Sequence, residues 1–143
     1  MQEIALQPVG VVHSPVADTR DMPIEGVPAQ VEVFPPFEAA LQGIEANTHL
    51  QIIAWLHRAD HGARVGGDPP RGVFGLRAAS RPNPLGLTPA RLLRVDGRVL
   101  HLERLDLVDG TPVVDIKRYS PGWDCIFSAR TSRELRFPFN AGV

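Results

Sequence analysis

Fourteen prolines and thirteen glycines are spread over all 143 residues instead of being pooled in one linker. Proline fixes φ and removes a backbone donor, and glycine loosens the chain, so regular elements between them have to be short. The intervening segments are apolar and rich in β-branched residues, which suits strands. PVGVVHS (Pro8 to Ser14), AQVEVF (Ala29 to Phe34), HLQIIAWL (His49 to Leu56), GVFGLR (Gly72 to Arg77) and VVDIKRY (Val113 to Tyr119) each predict one. FEAALQGI (Phe37 to Ile44), which follows Pro35-Pro36 and carries good helix formers, predicts a short helix. ARLLRV and RVLHLERL flank Asp96-Gly97, so Ala90 to Leu105 predicts a hairpin closed by a type I′ turn. Many short strands, without strand–helix alternation or an internal repeat, predict a mainly β fold, either a barrel or a sandwich.

A chain of 143 residues with 43% apolar content is one domain's worth and can bury a core, so residues 1–143 are read as a single domain. Its densest apolar run, Ile52 to Leu56, is far below the roughly 18 residues that cross a bilayer, so no membrane association is predicted. The opening MQEIALQPVG lacks the basic start and long apolar stretch of a secretory signal. One cysteine, Cys125, cannot form an internal disulfide, which fits a reducing cytoplasm. Set in WDCIF, it reads as a buried structural thiol. Charge is segregated: residues 1–57 hold one arginine against seven acids, whereas 58–98 hold eight arginines against three aspartates. Arginine binds planar anions and stacks on bases. The basic middle therefore either meets a phosphate-rich partner or pairs with the acidic first third.

Candidate chemistry is confined to a few polar clusters. His57 and His61 stand four apart in HRADH, but Arg58 occupies the place where a zinc-protease pattern needs glutamate. No cysteine is near and the segment leads into the loop HGARVGGDPP, so no metal site is predicted. His57 is either a strand-end histidine bonded to backbone or a ligand contact. Gly62 to Gly67 lacks the lysine and hydroxyl residue of a phosphate-binding loop, and no serine sits in a nucleophile-elbow frame. RPNPLGLTP, Arg81 to Pro89, puts three prolines into nine residues. It is either a rigid corner between strands or a wall presenting Arg81 and Asn83 to a ligand with little ordering cost. In LDLVDGTPVVDIK, Leu105 to Lys117, Asp106 and Asp109 suit turn-capping carboxylates or binding groups. Asp115 suits a pair with Lys117 or an arginine.

Four blocks occur in a telling order: GVVHSP (10–15), GIEANTHL with WLHR (43–58), RGVFGLRAASRPNPLGL (71–87) and LDLVDGTPVVDIKRYSP (105–121). Together they resemble the TsaA/TrmO-like family of β-barrel S-adenosylmethionine-dependent methyltransferases, over most of residues 8–121. The resemblance implies a small single-sheet β-barrel with short helices and long connecting loops. It implies a homodimer holding S-adenosylmethionine in a cleft near the subunit interface, and methylation of N6 of threonylcarbamoyladenosine at tRNA position 37. Carried across residue by residue, cofactor contacts fall on His57, Arg58, Arg77, Leu87, Glu103, Arg104, Leu105 and Asp106, with Pro23, Ile24 and Glu25 as the loop near the methionine end. Substrate recognition falls on Arg81, Asn83, Asp109, Thr111 and Lys117. The chain departs from the family pattern at His13, where Arg is common, and at Asn47-Thr48, which replace Phe-Ser. Leu76 and Ala78 stand for Thr and Ser, and Glu25 for Gln. It also ends soon after the barrel, where longer tRNA-modifying members carry a further C-terminal domain.

The implied reaction is an in-line displacement, which gains its rate from placement. An N6 acceptor has to lose a proton, and among the family-block histidines His57 is the one near the site that the resemblance implies, of a residue type that takes protons near neutral pH. Three readings follow: a tRNA methyltransferase whose arginine-rich middle meets RNA phosphates, a methyltransferase of the same fold acting on a small molecule, and a non-enzymatic S-adenosylmethionine binder. Phe137 and Phe139, around Pro138, read as a cover for an open barrel edge or for a partner subunit.

Overall fold

In AQVEVF and HLQIIAWL every second side chain is apolar, and in the computed structural model, which describes residues 1–131, both are strands of one closed barrel. The strands are β1 (Gly10–His13), β2 (Val27–Val33), β3 (His49–Trp55), β4 (Val65–Gly66), β5 (Arg71–Gly72), β6 (Leu85–Asp96), β7 (Val99–Leu105) and β8 (Pro112–Arg118). The barrel runs β1-β2-β7-β6-β3-β8, antiparallel throughout, and closes through β8 onto β1. β4 and β5 form a separate two-stranded ladder inside the long excursion between β3 and β6. Among the described residues one four-residue α-helix, α1 (Pro121–Asp124), follows the barrel. The mainly β, single-sheet barrel expected from the sequence is the fold found. No described helix is long and apolar enough to cross a membrane.

Alternation fills the interior. Val31, Val33, Leu50, Ile52, Leu100 and Leu102 are buried, and Phe37 and Ile44 pack against that core from the segment between β2 and β3. Burial of one such side chain stabilises by about 2 kcal/mol, so the strands rather than the loops hold the molecule together. Pro28 sits where the β2–β7 register shifts, a bulge position that tolerates a residue without a backbone donor.

Several local expectations need correction. The short helix expected over Phe37 to Ile44 is found, as a 3-10 helix at Pro35–Leu41 begun by two prolines that remove donors. Of GVFGLR only Gly72 is strand, because Val73–Gly75 turns as a 3-10 helix with the Leu76 amide donating to the Val73 carbonyl. The β6–β7 turn is Gly97-Arg98 rather than Asp96-Gly97, since Asp96 still pairs with Val99. Gly97 alone has positive φ, 59°, which is the glycine-first type II′ arrangement. RPNPLGLTP is a corner only to Pro84, and Leu85 already begins β6. Cys125 is exposed, together with Trp123, Ile126 and Phe127, because the chain leaves the filled barrel after β8. Phe137 and Phe139 lie outside the described residues.

The length of β6 creates the opening that matters. The Leu92 amide donates to the Thr48 carbonyl, and the Leu56 amide donates to the Pro84 carbonyl, so even-numbered residues of β6 bond β3. By alternation the odd ones, Leu87, Pro89 and Arg91, face the other edge. There β7 pairs with β6 only from Leu92 onward. Pro89 has no N–H to offer that edge, and the two strands diverge before it.

Across the divergence, Gly26 lets the turn after Pro23 press against the end of β7. It is buried at φ 76°, and a Cβ built there would lie 2.8 Å from the Leu105 carbonyl carbon and oxygen. Gly43 shares the left-handed conformation, φ 79°, but a Cβ there would touch nothing. Urea denaturation should show Gly43→Ala costing about 1 kcal/mol, the left-handed penalty alone, and Gly26→Ala roughly 3 kcal/mol or more. Equal losses in the two variants would mean that close backbone approach does not constrain Gly26.

Candidate functional site

A cleft of about 600 Å³ opens at the end of the barrel where β3 finishes and β6 begins. Four segments distant in sequence line it: Thr19, then Leu56 to Ala59, then Leu76 to Arg81 with Leu85 to Thr88, then Asp106 to Val108 with Thr111. Its floor is buried, formed by Leu107, Val108 and Thr111. The Thr111 hydroxyl donates to the Val108 carbonyl at 2.7 Å, so that side chain holds the floor in shape.

Backbone chemistry positions the walls. The Arg81 amide donates to the Asp60 carbonyl at 3.1 Å, and the Asp60 amide to the Ser80 hydroxyl at 3.2 Å, which staples the end of β3 to the proline corner. Arg81 Nη1 donates to the carbonyls of Leu76 (2.9 Å) and Ala78 (3.0 Å), folding the wall segment onto its own guanidinium. Arg77 Nη2 donates to the Leu87 carbonyl at 2.8 Å. Leu87 is one of the odd residues of β6, so Arg77 satisfies a strand-edge acceptor that β7 does not reach. On the far side, Thr88 Oγ1 donates to Asp106 Oδ1 at 2.8 Å, spanning the gap between β6 and the end of β7. At the rim, Arg58 Nη1 donates to the Ala17 carbonyl at 2.8 Å, next to the 3-10 turn Thr19–Asp21. The hydrogen bond from Arg20 holds the capping Asp18 below the usual carboxylate range.

The structure brings together seven of the sequence-predicted positions: His57, Arg58, Arg77, Leu87 and Asp106, with Arg81 and Thr111. Pro23, Ile24 and Glu25 form an exposed turn whose closing Gly26 abuts Leu105 and Asp106, so they border the same end. Leu105 itself is buried in the core, which leaves only its backbone for a ligand. Glu103 and Arg104 face Pro89 to Arg91 in a neighbouring depression of about 710 Å³, along the same divergence of β6 and β7. Asp109 accepts from the Ser14 amide at 3.0 Å, the turn-capping alternative, and lines a third depression instead. Asn83 is exposed outside the cleft, its carbonyl accepting from Leu85 at 2.7 Å. Lys117 pairs with Asp115 at 3.3 Å, likewise outside the cleft. Thr88 is the polar position that sequence reasoning passed over. No sequence signal marks it, since only its hydrogen bond to Asp106 sets it apart from other strand hydroxyls.

The arginines of the middle segment divide by use. Arg98 lies 3.8 Å from Glu32, among the described residues the one ion pair between the middle segment and an acid of the first third, and Arg58 acts on Asp18 at longer range. Arg94 pairs locally with Asp96. Arg58, Arg77 and Arg81 are spent on carbonyls lining or flanking the cleft. Pairing with the acidic third therefore does not account for the cationic segment. His61 meets Trp55 edge-on at 5.1 Å between centroids. Among the described residues no group of three His, Cys, Asp or Glu side chains is placed to hold a metal ion.

The chain is similar to known proteins over most of its length. The family model described as the tRNA-methyltransferase O N-terminal domain matches residues 11–125. A probable S-adenosyl-L-methionine-binding protein of Archaeoglobus fulgidus is 41% identical over 91% of this chain and 38% of its own length. The tRNA (adenine(37)-N6)-methyltransferase of Escherichia coli K12 is 34% identical over 85% of this chain and 60% of its own. A crystal structure of TrmO superposes with a TM-score of 0.82 at 32% identity, covering 96% of this chain and 66% of that one. The chain thus spans between about two fifths and two thirds of these relatives. A match over most of the barrel, carrying the blocks that build the cleft, makes this chain a member of the tRNA-methyltransferase O N-terminal domain family.

Proposed function

We propose that this chain binds S-adenosylmethionine in the barrel-end cleft and directs methyl transfer to N6 of threonylcarbamoyladenosine at tRNA position 37. The observation that carries the reading is the convergence of His57, Arg58, Arg77 and Asp106 on one cleft with a partly apolar wall of Leu56, Leu76 and Leu87. That donor set fits the proposed cofactor. A volume of about 600 Å³ lies within the ordinary range of small-molecule sites. Apolar walls suit a purine face, the guanidinium groups suit a carboxylate, and Asp106, oriented by Thr88, suits ribose hydroxyls or an amino group. The name of the Archaeoglobus protein supports the same cofactor, and that of the Escherichia protein supports an adenine N6 acceptor.

When bound, S-adenosylmethionine supplies an electrophilic methyl group. The protein's own contribution is placement. The proline corner and the Arg81 and Arg77 clamps fix the walls, so little motion has to be frozen when donor and acceptor meet. The buried floor of Leu107 and Val108 keeps water from the deep end. His57 accepts the proton that leaves N6. Leu85, Leu87 and Leu93, roughly half exposed on one face of β6, support a homodimer in which a second copy covers the open side of the cleft. A cytoplasmic location belongs to the same reading.

The direct test incubates the protein with S-adenosylmethionine and tRNA that carries unmethylated threonylcarbamoyladenosine, followed by nucleoside mass spectrometry. The expected product is the N6-methylated nucleoside. Cofactor binding with no transfer to any tRNA nucleoside would leave the non-enzymatic binder as the better reading. His57→Ala should lower turnover by about a hundredfold or more while cofactor affinity stays within a few-fold. Unchanged turnover would remove His57 from the proton path.

A further inference from the structure

The excursion from His57 to Pro84 does more than wall the cleft. It carries five arginines against two aspartates and folds as an arm around the β4–β5 ladder. Inside the arm the 3-10 turn Val73–Gly75 sorts its side chains by periodicity, because residues three apart fall on one side of such a turn. Val73 is buried and Leu76 partly so, and both lie beneath the Gly66-Gly67 backbone. Phe74, between them, is left 87% exposed. The Val73 amide donates to the Arg64 carbonyl at 3.0 Å, and Arg71 is three residues before Phe74, so both arginines flank this turn. Both are exposed, and among the described residues neither takes part in an ion pair.

A phenyl ring left so exposed by a folded turn, in a segment with two exposed arginines that form no ion pair among the described residues, matches what an unpaired nucleobase and its phosphates require. A base offers a π-face for stacking, and the backbone offers anions for arginine. A protein surface would bury the ring equally well but would leave the two cations without a stated counterpart.

We propose that Phe74 is a base-stacking platform on an RNA-docking arm, with Arg64 and Arg71 holding the adjoining phosphates. This rests on the RNA-directed reading above and adds the surface that takes the strand. The same arm continues two residues after Phe74 into the cleft-lining segment Leu76 to Arg81, so the proposed platform and the cleft wall belong to one excursion of the chain.

The test uses the full chain and a synthetic RNA stem-loop with 2-aminopurine in the loop, with fluorescence read across a salt series. Phe74→Ala should weaken binding about tenfold and abolish the stacking quench, while Phe74→Trp keeps both. The salt slope should be unchanged by Phe74→Ala and flattened by about 1.5 in the Arg64→Ala/Arg71→Ala double variant. Thermal midpoints of all variants should match the parent, which separates a lost contact from a lost fold. RNA binding that is indifferent to Phe74→Ala overturns this inference alone. A Phe74→Ala variant altered only in sedimenting mass overturns it too, by making the ring a contact between copies of the chain. No RNA binding by the parent protein at low salt overturns both this inference and the RNA-directed reading beneath it.

Discussion

A missing hydrogen-bond donor shapes this barrel. Even-numbered residues of β6 bond β3 along most of the strand, so Pro89 presents its ring nitrogen to the other edge, where β7 would have to pair. The β6–β7 ladder stops at Leu92 and Leu102, and the strands part. The two main depressions lie along that divergence, with Glu103 and Arg104 opposite Pro89 to Arg91 and Asp106 opposite Gly86 to Thr88. A barrel paired without interruption would have had no such opening, since full closure leaves no edge.

An exposed strand edge is costly unless its polar groups find partners. Here side chains take the place of a strand. Arg77 serves the Leu87 carbonyl, and the Thr88–Asp106 hydrogen bond ties the two sides of the gap. Arg81 does the equivalent for the wall loop by collecting two carbonyls. The same groups thus have a folding role and a place in the cleft, which is why substitutions there must be read on stability and ligand affinity separately. The rigid placement that the proposed methyl transfer calls for is then a by-product of how the edge is satisfied.

Barrel strands were legible in the sequence where alternation or a dense apolar run was present, as in AQVEVF and HLQIIAWL. GVFGLR misled because apolar content says nothing about whether a partner strand exists, and its glycines permit a turn instead. WDCIF misled for a related reason: bulky neighbours predict burial only if a core has room, and this core is filled by the strands. Among site residues, the family blocks pointed to His57, Arg58, Arg77, Leu87 and Asp106, which the fold assembles. Thr88 was passed over because hydroxyls at strand positions are common, and only its partner distinguishes it.

The sequence by itself determined the mainly β class, the short elements and the residue types available for binding, because period-two patterning and proline chemistry are local properties. Tertiary structure decided which of the polar residues face one another. Asp106 became a cleft group, whereas Asp109 became a cap on the Ser14 amide and Asp115 a partner of Lys117. It also decided which arginines are spent on carbonyls and which stay free. Those outcomes depend on strand register and on where two strands part, which are set by contacts between segments far apart in the chain.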